Sequence, residues 1–196
     1  MYIKRDIEEK IIEASQQFAS ITIYGSRQVG KLTLIKKILP KIEYITLDDI
    51  EVRSYAISNP KGFLKYYGKP LIIDEIQKAP KLLEYIKIEI DKMKKNCLMN
   101  NEKIKLLYIL SGSNQFELQE AITESLAGRT CVFNLANEIK QRTSHSSFNP
   151  DIAVLREKEK NLNNKYRSRK EIFEDIMIGG MPDYVVNKVN REMFFK

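Results

Sequence analysis

Ile21-Thr-Ile-Tyr-Gly-Ser-Arg-Gln-Val-Gly-Lys-Leu-Thr-Leu-Ile35 is the stretch that decides the fold of this chain. Ile21 to Tyr24 is a short β-branched and aromatic run, which reads as a buried strand. Six residues bounded by Gly25 and Gly30 follow, and Lys31 opens an apolar-periodic helix. Strand, GxxxxGK and helix in that order form a phosphate-binding P-loop. The glycines let the backbone curl so that successive N–H groups point at one anion. The new helix adds its unpaired N–H groups and the positive end of its dipole. The candidate binding residues are therefore Gly25, Ser26, Arg27, Gln28, Val29, Gly30, Lys31, Leu32 and Thr33, with Lys31 reaching the outer phosphates. One position departs from the motif. The residue after the lysine is ordinarily Ser or Thr, whose hydroxyl binds Mg²⁺, and here it is Leu32. Thr33 comes one residue later, about 100° further round the helix.

Upstream, Ile3, Ile7, Ile11, Ala14 and Phe18 recur at helical spacing, so residues 1–18 read as an amphipathic helix. Downstream, Pro40 should stop the P-loop helix, and residues 42–47 read as a second strand ending in Asp48-Asp49. Two short helices are expected over 51–57 and 61–67, separated by Asn59-Pro60. Pro70-Leu-Ile-Ile-Asp-Glu-Ile-Gln77 is a continuous apolar run ending in two carboxylates, as a central parallel strand would be. A helix carrying Leu82, Leu83, Ile86, Ile90 and Met93 follows, and residues 96–102 read as a polar loop. Residues 105–110 form another apolar strand, 116–127 a helix closed by Gly128, and 130–135 a last strand. This alternation predicts an α/β fold with a three-layer parallel sheet. Beyond Ala136 the composition becomes polar and densely charged, and Ser168-Arg-Lys-Glu171 is a capping box. We place a boundary near residue 140. Residues 1–140 form the P-loop domain, and residues 141–196 form a small helical C-terminal extension.

The bulk properties narrow the function classes. A 196-residue chain with 43% apolar and 30% charged residues is long enough for one sizeable core and is not a disordered composition. No apolar run approaches the roughly 20 residues of a membrane span. Cys97 and Cys131 lack partner cysteines, and His145 has no metal-ligand company, so the sequence reads as a cytoplasmic protein without a metal cluster. The net charge of +7 is compatible with nucleic-acid contact, although the lysines are spread along most helices.

Asp74-Glu75 supplies the second half of the chemistry. Beside a P-loop, an aspartate at the end of a later strand holds Mg²⁺, and the adjacent glutamate polarises the attacking water. That pair is the mark of additional-strand ATPases, in which a further strand lies between the two motif strands. Here the strand ending at Leu110 should lie between Ile21–Tyr24 and Leu71–Ile73. Ser113 or Asn114, just past it, takes the sensor position.

Gly25-Ser-Arg-Gln-Val-Gly-Lys31, Leu47-Asp-Asp49, Ile72-Ile-Asp-Glu-Ile-Gln-Lys-Ala-Pro80, Ser111-Gly-Ser113 and Ser125-Leu-Ala-Gly-Arg129 together resemble a prokaryotic family. Its members are AAA-type ATPases with an N-terminal P-loop module and a C-terminal domain of unknown function with restriction-endonuclease-like affinities. The resemblance runs from about residue 18 to 135, and Ile178-Gly-Gly-Met-Pro182 is similar to the family's linker. It implies ATP and Mg²⁺ as ligands, Asp74 with Thr33 as the residues near the metal, and Glu75 as the catalytic base. It implies catalytic roles for Ser113 and Asn114, and for Arg129 as a finger acting in cis or across a homo-oligomer. Arg129 also suits the cap of its own helix end. The resemblance further implies a chain truncated relative to its family, either as a fragment or as a shortened gene product. Leu32 implies impaired hydrolysis. The alternatives are a non-hydrolysing nucleotide-dependent switch or nucleic-acid adaptor, and a non-functional remnant.

Overall fold

The computed structural model describes residues 2, 4, 5, 7–113 and 115–135. Residues 3–135 form one compact unit. Residues 136–196 lie outside the described residues, and with them the expected boundary near 140, the helix from Ser168, the Gly179-Gly180 turn and His145.

Five strands make one sheet: β1 (Ser20–Tyr24), β2 (Glu43–Thr46), β3 (Leu71–Asp74), β4 (Tyr108–Gly112) and β5 (Thr130–Asn134). Their order is β2-β3-β4-β1-β5, and every pairing is parallel. The strand ending at Gly112 thus separates the P-loop strand from the Asp74 strand, as the motif order predicts. Successive side chains on a strand point to opposite faces, so a sheet covered on both sides needs unbroken apolar runs. Leu71, Ile73, Tyr108 and Leu110 join Phe63, Ile86 and Ile90 in one core. Ile72, beside Ile109, and Ile109, beside Ile21, are fully buried from the other face. Truncating any of these central residues to Ala would cost roughly 2–5 kcal/mol.

The helices are α1 (Glu8–Gln17), α2 (Lys31–Ile38), α3 (Ile50–Ser58), α4 (Pro60–Tyr66), α5 (Leu82–Asn100) and α6 (Gln115–Leu126). α1 packs on β1 and against α2, while α5 packs against α4 and α6. Asp49 caps α3 by accepting from the N–H groups of Glu51 at 2.9 Å and Val52 at 3.2 Å. Asn59 caps α4 through Gly62 N–H at 3.0 Å, with Pro60 in its first turn. No described helix is long and apolar enough to cross a membrane.

Two local expectations are corrected. The first helix begins at Glu8 and not near residue 1, and Phe18 is already extended. Residues 96–100 continue α5 instead of forming a loop. Polarity misled there, because Cys97 is buried and keeps the last turn docked, and Asn101 in the left-handed region ends the helix.

Candidate functional site

Both motif glycines are required by the backbone. Gly30, the residue before α2, has φ 87°, a left-handed conformation that side chains disfavour. Gly25 is crowded instead: a Cβ there would lie 2.4 Å from the carbonyl oxygen of Leu135, just past β5. Gln28 is also left-handed, at φ 61°. Turns of this kind direct successive backbone N–H groups into one concavity, which suits an anion.

Lys31 opens α2 and is buried. Its ammonium donates to the carbonyls of Gly25 at 2.9 Å and Ser26 at 3.0 Å, which uses two of its three donors. Burial pushes its pKa below the ordinary lysine value, against the pull of Glu75 and Asp74. A cleft of about 450 Å³ is lined by Arg27, Gln28, Gly30, Lys31, Leu32, Thr33, Asp48, Asp74 and Glu75. The structure therefore gathers most of the residues read from the P-loop with both carboxylates. Arg5 reaches the loop from the N-terminal side, where its guanidinium donates to Val29 O at 2.8 Å.

Asp74 ends β3, and each of its oxygens accepts a hydroxyl. Ser111 of β4 donates to Oδ1, and Tyr44 of β2 donates to Oδ2 at 3.1 Å. Burial, with the negative charge of Asp74, raises the Tyr44 pKa to about 12, so this hydroxyl stays a donor at neutral pH. Glu75 follows in the left-handed region at φ 54°, an uncommon conformation for a residue with a side chain. Its Oε2 accepts from Ser113 Oγ at 3.0 Å and from the amide of Gln77. The other end of that amide, Gln77 Oε1, is buried without a hydrogen-bond partner among the described residues. Asp48 pairs with Lys78 at the cleft's rim.

Ser113 thus touches the glutamate, whereas Asn114 lies outside the described residues. Arg129 is not brought to the cleft. It directly precedes Thr130, which pairs with Ser20 at the start of β1, while the P-loop leaves β1 at its far end after Tyr24. Four residues of strand, roughly 13 Å, separate the two levels. There Arg129 makes a two-pronged bond to Asp91 of α5, at 2.7 and 2.9 Å, and donates to Ala127 O at 3.0 Å. Within this chain it ties the end of α6 to α5, at the end of the sheet away from the cleft. Tyr44, Ser111, Gln77, Asp48 and Arg5 join the site without having been candidates. Their contacts cross 24 to 37 residues of sequence, except for Gln77, which is two residues from its partner.

The donor set fits Mg²⁺. Among the described residues no group of three or more acidic, His or Cys side chains forms a metal cage. Mg²⁺ is ordinarily held by one or two carboxylates together with substrate phosphates, and Asp74 supplies such a carboxylate beside the P-loop.

A family model described as "AAA domain" matches residues 17–137, well over half of the chain, so the chain belongs to that family. No curated protein matches it in sequence. Among solved structures it is similar to AMPPCP-bound DnaA from Aquifex aeolicus, at 18% identity over 97% of this chain and 60% of that one, with a TM-score of 0.45. It is also similar to a Walker-type ATPase of Pyrococcus abyssi, at 14% identity over 95% and 66%, with a TM-score of 0.48. A third is the ORC2 protein of Aeropyrum pernix, at 13% identity over 68% and 46%, with a TM-score of 0.37. The chain spans 46–66% of the length of these solved chains.

Proposed function

We propose that this AAA domain binds ATP with its phosphates on the loop from Gly25 to Thr33, and hydrolyses it weakly or not at all. The single observation that supports binding is the loop itself. Two glycines that geometry demands lead into a buried lysine, across one cleft from Asp74 and Glu75. Loop N–H groups and Lys31 take the phosphate charge. Asp74, with phosphate oxygens, would hold Mg²⁺, which would supply positive charge beside the phosphates. Glu75, held by Ser113, orients a water. Leu32 lines the cleft at the position where the motif carries a metal-binding hydroxyl, and its isobutyl group offers no ligand. Binding depends mainly on the backbone and Lys31, so it survives this change better than hydrolysis does. The domain division at residue 140 is part of the same reading.

A titration with a fluorescent ATP analogue, run beside a steady-state phosphate-release assay, tests it. Saturable binding with little or no release is the expected result. Absence of binding removes the phosphate site from this loop. Robust turnover leaves the site intact and shows that Thr33 or water replaces the missing ligand. A nucleotide-dependent switch is the second reading, and Leu32 is the observation that favours it.

A further inference from the structure

We propose that Tyr44 is a positioning residue for Asp74, fixing the carboxylate on which Mg²⁺ binding depends in a P-loop that lacks its hydroxyl ligand. This rests on the nucleotide reading of the cleft. Tyr44 lies on β2, the edge strand beside β3, with its backbone in register with Ile72. From there its hydroxyl reaches forward to Asp74 Oδ2 at 3.1 Å. On the opposite side of β3, Ser111 of β4 holds Oδ1. Two neighbouring strands therefore clamp one carboxylate, one hydroxyl per oxygen. A carboxylate has about four lone-pair directions, so each oxygen keeps one for a further partner. The tyrosine is itself fixed from α2. The Lys36 ammonium lies 4.4 Å from the centre of the Tyr44 ring, and Lys36 is five residues along the helix that Lys31 opens. A side chain held in this way links the phosphate-loop helix to the metal aspartate.

Mg²⁺ demands near-ideal octahedral geometry, so the orientation of its few protein ligands matters more than for a tolerant ion. With Ser or Thr at position 32 the loop would share that task. With Leu32 the orientation falls to Asp74, and partners behind a ligand govern its affinity for the ion.

A fluorescent ATP analogue is titrated against parent, Tyr44→Phe and Ser111→Ala, in EDTA and at stepped Mg²⁺, with melting of the nucleotide-free proteins alongside. Phenylalanine keeps the ring and its contact with Lys36. In Tyr44→Phe the Mg²⁺ concentration at half-effect should rise about 10–100-fold, while the affinity in EDTA moves far less. An unchanged midpoint in a folded Tyr44→Phe overturns the proposal. So does equal weakening with and without Mg²⁺, which marks the hydroxyl as structural only. If Tyr44→Phe does not fold, Ser111→Ala takes its place, since it loosens the same carboxylate from the other oxygen. A raised midpoint there supports the clamp and an unchanged one overturns it. A parent that binds nucleotide without responding to Mg²⁺ overturns this inference alone. A parent that binds no nucleotide overturns the nucleotide reading as well.

Discussion

The two ends of the one parallel sheet are built by opposite rules. At the ends where the strands start, polar groups close on each other. Arg129 and Asp91 form a two-pronged ion pair, and Glu89 takes both the Tyr108 hydroxyl and the Lys69 ammonium. Positive φ angles nearby belong to Gly68, Asn101 and Gly128, each just past a helix, where such angles are routine. At the ends where the strands finish, Asp74 and Glu75 are also partnered, but other groups stay open. Lys31 is buried on carbonyls with a donor to spare, and Gln77 Oε1 is buried without a partner among the described residues. Glu75 and Gln28 sit in the left-handed region with no helix end to justify it. Each such feature costs free energy, and folding alone gives no reason to retain it. The contrast separates the part of the molecule that holds the sheet together from the part that waits on a ligand.

The sharpest way to break this comparison is Lys31→Ala. Removing a charge-assisted contact to phosphate should weaken the fluorescent ATP analogue by about 1.5–3 kcal/mol, roughly 10–100-fold, and leave folding nearly unchanged. Equal affinity in parent and variant would place the phosphates elsewhere. Next in size is Gly25→Ala. The added methyl meets the Leu135 carbonyl at 2.4 Å, a backbone atom with little room to yield, and should destabilise the protein by about 1–3 kcal/mol in urea unfolding. Gly128→Ala is its counterpart at the other end. Nothing lies within 4 Å of that Cβ, so only the φ of +70° opposes it, at about 1–2 kcal/mol. A larger loss at Gly128 than at Gly25 would contradict the crowding seen at the loop.

Much of this architecture is legible in the residues because both faces of the sheet are covered. Leu71-Ile-Ile and Tyr108-Ile-Leu are apolar without interruption, which only a buried strand tolerates. The P-loop and Asp74-Glu75, taken together, also give the position of β4 between them. Less legible is whatever depends on a partner far along the chain. Tyr44 reads as one residue of a short alternating strand, and nothing local says that its hydroxyl meets a carboxylate 30 residues on. Arg129 shows the converse. Its local pattern suits a helix end or a finger, and nothing local points to the partner it has in this chain, Asp91, 38 residues away. The loop expected over 96–102 fails for a related reason. Asn96, Asn100 and Asn101 read as loop residues, Leu98 and Met99 are apolar yet exposed, and only Cys97 of this turn is buried.

Leu32→Thr sharpens the comparison from the side of the cleft. A hydroxyl restored at this position supplies one Mg²⁺ ligand, so the Mg²⁺ midpoint for nucleotide binding should fall by roughly tenfold. Phosphate release should rise over the parent and vanish again in Leu32→Thr/Glu75→Gln. A variant that binds Mg²⁺ no better than the parent would show that Thr33 or water already fills the position.

The smallest effect belongs to the closed end. Arg129→Gln removes an ion pair whose members are partly exposed, with side-chain accessibilities of 27% and 45%, so screening holds its worth to about 0.5–1 kcal/mol. Its pH dependence has a definite sign. The bond to Arg129 holds the Asp91 pKa below its ordinary 3.8, while the guanidinium remains charged throughout. A depressed folded-state pKa stabilises the protein fully above the unfolded value, and that stabilisation is lost as the pH falls through the lower, folded one. Parent and Arg129→Gln should therefore differ in melting temperature at pH 7 and converge as the pH falls below the ordinary aspartate range. Their affinity for the ATP analogue should be the same, because roughly 13 Å of strand lies between this pair and the loop. A variant that melts like the parent at pH 7 but binds nucleotide more weakly would reverse the assignment and make the start of β5 part of the site.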